Sequence, residues 1–481
     1  MMKNIFRHKF LYPYIVKIGL YTSLLLIHSN SIRSQVSRSA FFLEEIPASN
    51  LLNPAFHPSC NYYINLPLVS SFYLGFESPF TFDELTKKWE SGDSLYIDRE
   101  KVLAALENKN YFSFELYNEL GRAGVRFGRH FIHLNIAKVF STKFAFEKEF
   151  AALMLYGNGN DLYIGKLLNF NNTGLNMTSY HEFALGYSIR VGSKVTLGTR
   201  LKYLNGAFNI WTEKANFSIF TDDQPNFTIT ASSDIMIHTS STISSFNNLI
   251  RQVSNYKSFD LSGNHGFGFD LGLDFEPSDK FKLSASVIDL GWIWWKENVK
   301  NFKSVNPGVE YTFEGFEISD FIRNGSFRDT VAVLDTILDH FGLETTYDTY
   351  TSHLNPKIYV GGLWRLTKKD DAGCLLRTDI AEERLQLSVT LNYTHRFGKF
   401  ISVNANYSWV NNNFYNIGIG LVAKLGPVQL YALNDMIIGL INSQKANNYN
   451  FHFGISFLFG SPKSSAVMPT YYPSSKGKQQ D

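Results

Sequence analysis

Strict polar–apolar alternation, sustained for roughly 9 to 13 residues at a time, constrains this chain more than any other feature. In "LQLSVTLNYTHRF", Leu385, Leu387, Val389, Leu391 and Tyr393 share one face, while Gln386, Ser388, Thr390, Asn392, Thr394 and Arg396 share the other. "ISVNANYSW" (401–409), "FALGYSIRV" (183–191), "FGFDLGLDF" (267–275) and "YNIGIGLVA" (415–423) repeat the pattern. A period of two marks a sheet with unlike faces. Strands of soluble sandwiches are usually about 5–6 residues long. A strand that crosses a bilayer at a tilt needs about 9–11. The composition agrees: 42 Phe and 26 Tyr suit pleated, half-buried surfaces, and only 14 Pro interrupt them. After residue 34 no run of 18 apolar residues occurs, so no spanning helix is expected.

The breaks between strands sort by length. Very short ones fall at Gly128–His130, Gly192–Lys194, Pro277–Lys280, Lys368–Gly373, Gly398–Lys399 and Leu425–Pro427. Longer connections cover 76–111, 147–179, 209–263 and 297–355, with smaller ones near 381–384, 411–413 and 435–447. Strands are then expected near 62–75, 112–127, 131–146, 180–191, 195–208, 264–276, 281–296, 356–367, 374–380, 385–397, 400–410, 414–424, 428–434 and 448–459. Every short break lies on one side of such a sheet. A sandwich has no reason to sort its loops this way. The sequence predicts an all-β, transmembrane, antiparallel barrel of about 14 strands, with tight periplasmic turns and long extracellular loops carrying short helices. Within those loops Thr81 and Glu84 offer a capping box, and 98–108, 244–256 and 329–341 read as amphipathic helices. They pack on neighbouring loops or dock a partner.

Residues 1–34 read as a secretory signal, with Lys3, Arg7, Lys9 and Lys17 ahead of an apolar run from Ile18 to Ile27 and small polar residues after it. The apolar run is too short for a membrane anchor, which needs about 20 residues. No Cys follows it directly, which argues against a lipoprotein signal. Residues 35–61 form an N-terminal plug segment, 62–460 the barrel, and 461–481 a disordered periplasmic tail rich in Ser, Pro and Lys. The chain is thus expected in the outer membrane, in contact with its lipid and handled by the barrel assembly machinery. Its final strand, "NFHFGISFLFG", resembles the assembly signal of outer-membrane barrels through His452, Gly454, Phe457 and Phe459, set here inside the chain. The net charge of +2 implies no nucleic-acid partner. Cys60 and Cys374 make one bridge or stay as two thiols; no disulfide framework is possible.

Chemistry-bearing motifs are missing. The sequence has no P-loop, dinucleotide fingerprint, HExxH or GxSxG, so neither catalysis, a cofactor nor a metal is expected. Arg190, Arg200, Lys202, Asp270, Asp274 and Arg396 fall on the polar faces. They line a pore or grip an inserted segment, or they pair with one another in a lumen that is polar in any case. Trp292, Trp294 and Trp295 in "LGWIWWKENVKN" mark the point where a strand leaves the bilayer, or else a carbohydrate platform.

"NLLNPAFHP", directly before the first strand, fits none of these elements. Pro54 and Pro58 exclude a helix interior or central strand, and Asn53 before Pro54 favours a turn. Leu51, Leu52, Ala55 and Phe56 are poorly suited to open periplasm. A hatch folded into the lumen accommodates all of these; an ordinary turn into the sheet is the plainer alternative. The Asn53-Pro54-Ala55 turn, the strand number and the Phe-ended last strand resemble the long-chain fatty-acid transporter superfamily, which includes the shuttle barrel of type IX secretion. "FFLEEIPASNLLNPAFHPSCNYYINLPLVSSFYLGF" and "VIDLGWIWWKENVKNF" resemble, more closely, an uncharacterised family of Bacteroidota outer-membrane barrels. The resemblance implies a hatch-closed lumen and a hydrophobic ligand leaving through the wall. Only Asn53, Pro54 and Ala55 carry over; no ligand-binding residue does.

Two functions follow as expectations. One is transport or binding of a hydrophobic small molecule, which calls for apolar residues on lumenal faces near the hatch, with Leu204 an example. The other is a non-enzymatic interaction barrel, serving secretion or a surface complex through its long loops. An open porin fits less well, because a hatch leaves little free lumen.

Overall fold

A computed structural model describes residues 38–460 except 68–69, 89–94, 158, 162, 172, 224–227, 242–260, 314–342, 382–383 and 411–412. The expected signal, the tail and the helices at 244–256 and 329–341 lie outside the described residues. Fourteen antiparallel strands close into a barrel. They are β1 (Tyr62–Asn65 and Ser71–Glu77), β2 (Lys109–Phe127), β3 (His130–Glu147), β4 (Gly174–Val191), β5 (Val195–Thr221), β6 (His265–Ser278) and β7 (Phe281–Trp295). Then come β8 (Tyr350–His353 and Lys357–Arg365), β9 (Asp370–Ala381), β10 (Arg384–Phe397), β11 (Ile401–Val410), β12 (Asn413–Leu425), β13 (Val428–Asn434) and β14 (Asn448–Phe459). Both pieces of β1 pair with β14 on one side and β2 on the other, so the sheet has no free edge in the wall. Tyr62 stacks on Phe459 across this seam, 5.1 Å between centroids.

The alternation has the polarity of a membrane barrel. On β10, Gln386, Ser388, Thr390, Asn392 and Thr394 are buried, whereas Leu391 is 55% and Tyr393 46% exposed. A soluble domain buries the opposite set. An apolar outer face around a polar lumen belongs in a bilayer. Inside, the polar groups satisfy one another: Asn404 Nδ2 donates to Asn392 Oδ1 (2.5 Å) and to Thr394 Oγ1 (3.0 Å). The six short turns expected from the sequence all fall at one end, but Ala381 pairs with Arg384 and Val410 with Asn413, so two connections at the other end are as short. Gly128, Gly192, Gly398 and Gly426 occupy four of the six with φ of +58°, +65°, +65° and +65°, a region where a side chain is costly.

Several boundaries differ from the sequence reading. β9 begins at Asp370, not 374, and β5 continues to Thr221, well past 208. The outer half of β5 pairs with Ile229–Ser240, which pairs in turn with Asn301–Ser304 and Glu310–Phe313, so a small sheet stands above the barrel at its long-loop end. Helix Lys148–Tyr156 forms in a connection where none was expected, burying Leu153 against Leu168, Phe170 and Ile219. The helix Phe82–Leu85 carries the expected capping box of Thr81 and Glu84, and Arg99–Ala105 is helical as expected.

The tryptophans need a correction. The pairing of β6 with β7 shifts register between Phe269 and Leu271, and Asp289 opposite has φ +62°. This bulge exchanges the faces of all later residues in β7. Trp295 therefore points inward and is fully buried, its Nε1 donating to Ser352 Oγ (2.8 Å). Trp292 and Trp294 remain partly exposed on the outer side. Cys60 is buried and Cys374 exposed, both as thiols. Gly373 faces the lumen, so Cys374 faces out, and the wall separates the two.

Candidate functional site

Residues Arg38–Cys60 fill the tight-turn half of the lumen. Two short 3-10 helices, Arg38–Phe42 and Pro47–Leu51, lead into the Asn53 turn, and Leu51, Leu52, Asn53, Pro54, Ala55 and Phe56 are all buried. The Asn53 side chain builds the turn: Oδ1 accepts the Ala55 N–H (2.9 Å) while Nδ2 donates to the Leu273 carbonyl (3.1 Å). Ser286 Oγ donates to the Leu52 carbonyl (2.5 Å). Wall glycines make room. A Cβ at Gly272 would lie 2.1 Å from Asn53 Oδ1, and one at Gly198 2.3 Å from the Pro54 carbonyl carbon. At Gly361 and Gly373 it would meet the rings of Phe41 and Phe42 at 2.3 and 2.5 Å. Phe41, Phe42, Leu43, Ile46, Leu52 and Phe56 form a core with Ile288, Tyr359, Leu375, Val422, Tyr431 and Leu433 of the wall. Each such side chain contributes about 1.5–3 kcal/mol on burial. This segment is held by packing first.

Polar anchors fix its orientation. Asp435 accepts from the backbone N–H groups of Arg38 (2.6 Å) and Ser39 (3.1 Å). Arg122 donates to the Pro47 carbonyl (2.8 Å) and to Asn50 Oδ1, while its Nε donates to Glu119 (2.7 Å). At the lower end Arg126 donates to the Pro58 carbonyl (2.9 Å) and to His57 Nδ1 (3.2 Å), which leaves His57 Nε2 to donate to Ser188 Oγ (2.5 Å). Burial, with the Arg126 charge added, pushes the His57 pKa down to about 3, so this imidazole stays neutral and serves as a fixed hydrogen-bonding strut. Ionised Glu45 meets Lys424 at 3.1 Å; burial raises its pKa, but Lys424, Ser402 and Arg396 together outweigh that and hold it below the usual carboxylate range.

The six charged residues singled out on the polar faces do not form one site. Arg200, Lys202 and Asp270 join a buried network with Glu182, Asp289 and Lys357: Arg200–Asp270 at 2.7 Å, Lys202–Asp270 at 2.7 Å, Lys202–Asp289 at 2.5 Å and Lys357–Asp289 at 2.7 Å. Asp274 pairs with Lys282 (2.7 Å), which also reaches Glu44 of the plug (2.5 Å). Arg396 pairs with Asp371 (2.6 Å). Arg190 sits at the rim, donating to the Ser193 carbonyl of its own turn (2.7 Å). Pairing and gripping thus coexist. In β14, His452, Gly454 and Ser456 face the lumen, with Phe457 and Phe459 on the other face. His452 Nε2 lies 2.9 Å from Ser71 Oγ, which ties the last strand to the first.

Above this segment lies a cavity of about 160 Å³. Leu51 and Ile288 contribute to its apolar side with Val139, Tyr180 and Leu354, behind which Leu204, Ile293 and Trp295 are fully buried. Glu115, Glu182, Arg200, Asp289 and Lys357 line the polar part. Ile293 and Trp295 were missed in the sequence because the Asp289 bulge turns them inward; only Leu204 was legible by alternation.

No curated protein matches the chain. Among solved structures it is similar to the toluene transporter TodX of Pseudomonas putida, with 7% identity and a TM-score of 0.36 over 85% of this chain and 91% of that one. It is also similar to the toluene transporter TbuX of Ralstonia pickettii, with 8% identity and a TM-score of 0.34 over 86% and 94%. A Pseudomonas aeruginosa FadL homologue gives 9% and 0.37 over 86% and 94%. Likenesses this loose carry no argument about activity. Over residues 54–435, from the Pro54 turn to the Asp435 anchor, the sequence matches the family of unknown function DUF5723, and the chain belongs to that family.

Proposed function

We propose that the protein is an outer-membrane barrel that binds or passes a hydrophobic small molecule, with Arg38–Cys60 acting as the hatch that closes its lumen. One observation carries this: directly above the plug, the lumen presents Val139, Tyr180 and Leu354 over buried Leu204, Ile293 and Trp295, beside the charges of Arg200 and Lys357. A cavity near 150 Å³ with apolar walls holds about one benzene ring, so the ligand is ring-sized or a short acyl chain, with a polar end directed at Lys357 or Arg200. The outward Phe457 and Phe459 suit the assembly-signal reading of β14. Membrane lipid surrounds the wall, the long loops face outside, and the tight turns face the periplasm.

Native mass spectrometry of protein extracted gently from its own membrane tests the reading. An adduct of ring or short-acyl size, displaced by added toluene or octanoate, is expected. A stoichiometric protein companion over an empty lumen would replace it with the interaction-barrel alternative. In a second experiment, Leu354→Glu is expected to weaken toluene binding at least tenfold while the barrel stays folded; unchanged affinity would remove the cavity from the proposal. A tag inserted in 242–260 is expected to be reachable on intact cells and one after Ser278 not, and the reverse labelling would invert the topology.

A further inference from the structure

On the side of the cavity formed by β1 to β4, two rows of inward residues differ sharply in size. Gly75, Glu115, Ser141 and Thr178 are successive cross-strand partners, and Glu115 is the one large side chain among them. One row nearer to Arg38–Cys60 stand Tyr73, Tyr117, Val139 and Tyr180, partners in the same way. All but Gly75 line the cavity. A Cβ at Gly75 would lie 2.6 Å from Tyr73 Oη, so the missing side chain lets that ring lie along the wall beside Glu115. The carboxylate therefore looks into open space from a ledge of three tyrosines.

The charges of the cavity single out the same residue. Asp289 is held by Lys202 (2.5 Å) and Lys357 (2.7 Å), and Asp379 by Arg377 (2.7 Å). Glu182 lies 3.5 Å from Arg200 and 3.8 Å from Lys202. Half-buried Glu115 makes neither a hydrogen bond nor an ion pair among the described residues. Its charge acts on Tyr73, Tyr180, Lys357 and Arg377 through space alone. Lys143, on the same side of the cavity, holds its Nζ over the Tyr111 ring at 4.9 Å, nearer the long-loop end. One negative charge is left facing the cavity without a bonded cation.

We propose that this cavity takes a small hydrophobic ammonium ion, its nitrogen at Glu115 and its ring or short chain among Tyr73, Tyr117 and Tyr180. The inference rests on the hydrophobic-ligand reading of the cavity and fixes the sign of the charge that the ligand carries. Lys357 and Arg200 still donate to a neutral polar group, but their own charges are matched by Asp289 and Asp270. Aromatic rings favour a cation over a neutral group of the same shape. An inorganic cation would satisfy Glu115 and leave Val139 and Leu354 uncovered; a few polar groups set in apolar walls suit an organic one.

The test is calorimetric titration of the full-length barrel in a neutral detergent at neutral pH. The probes are benzylamine, protonated there, and benzyl alcohol, its uncharged counterpart. The unmodified protein is expected to bind benzylamine about tenfold more tightly or better, the effect of one hydrogen bond between charged groups. Glu115→Gln should abolish that preference and leave benzyl alcohol within about twofold, with heat-modifiable migration showing a folded barrel. Equal affinities in the unmodified protein, or a preference that survives Glu115→Gln, would overturn the ammonium site. If benzyl alcohol still bound in those cases and was lost with Leu354→Glu, the hydrophobic cavity would stand without it. Binding of neither probe to the unmodified protein would remove both.

Discussion

Gly272→Leu is expected to drive the Asn53 turn out of its seat and open the barrel. The new Cβ would meet Asn53 Oδ1 at 2.1 Å and the Ala55 nitrogen at 2.9 Å, and the second of these is backbone that no rotamer change can move. Overpacking of this kind costs about 1–3 kcal/mol. The displaced turn also loses the Asn53 bond to Leu273 and the Ser286 bond to Leu52, each leaving a buried polar group unpaired at about 1–3 kcal/mol. The wall loses little, because the ladder of β6 with β5 is formed by backbone groups on either side of Gly272. Planar-bilayer conductance should rise while heat-modifiable migration shows an intact barrel, and deletion of Ala48 to Pro58 should give the same result. Gly121→Ala serves as the control, since nothing lies within 4 Å of its Cβ. A silent bilayer with both plug variants would show that Arg38–Cys60 does not close the lumen.

Lys202→Met should cost about 3–5 kcal/mol of stability, the penalty for leaving buried carboxylates without their cation. Lys202 is fully buried within 2.7 Å of Asp270 and 2.5 Å of Asp289, with Glu182 at 3.8 Å. Removing it leaves three carboxylates to Arg200 and Lys357. Lys202→Met with Asp270→Asn should recover most of the loss, because Arg200 can turn to Glu182 and Lys357 already holds Asp289. Urea midpoints followed by tryptophan fluorescence measure both. A loss below about 1 kcal/mol for the single variant would mean that water in the lumen screens the network. Since Asp289 forms the bulge that turns Trp295 inward, the single variant should also shift the tryptophan emission to the red.

The wall was readable in the sequence because a barrel strand repeats one rule over its whole length. Leu385 to Arg396 and Ile401 to Trp409 state the alternation without interruption, and glycines with positive φ punctuate the turns. What failed was parity. One extra residue at Asp289 reverses every face beyond it, and the alternation of Lys282, Ser284 and Ser286 marks that break only by placing Asp289 on the outer face. The end of β5 was misplaced for a related reason: pairing with Ile229–Ser240 keeps it extended above the barrel, and that partner carries no clear alternation of its own. The Asn53 turn was legible through its prolines. Its seat was not, since Gly198, Gly272, Gly361 and Gly373 look like any small residues in a strand until Pro54, Asn53, Phe41 and Phe42 are placed beside them. Arg190 lies on the expected polar face, but as one of the last residues of its strand it reaches the Ser193 carbonyl of the turn.

The plug also dictates an order of events. Its partners are spread around the whole circumference, from Arg122 on β2 through Gly198, Gly272, Ser286 and Gly361 to Gln429 on β13, and the contact of Arg38 with Asp435 joins residues 397 apart. No subset of strands offers the segment its seat. Contacts of such separation form late and slowly, so the first residues of the described chain are among the last to reach their places. Their seat is complete only once β14 has met β1.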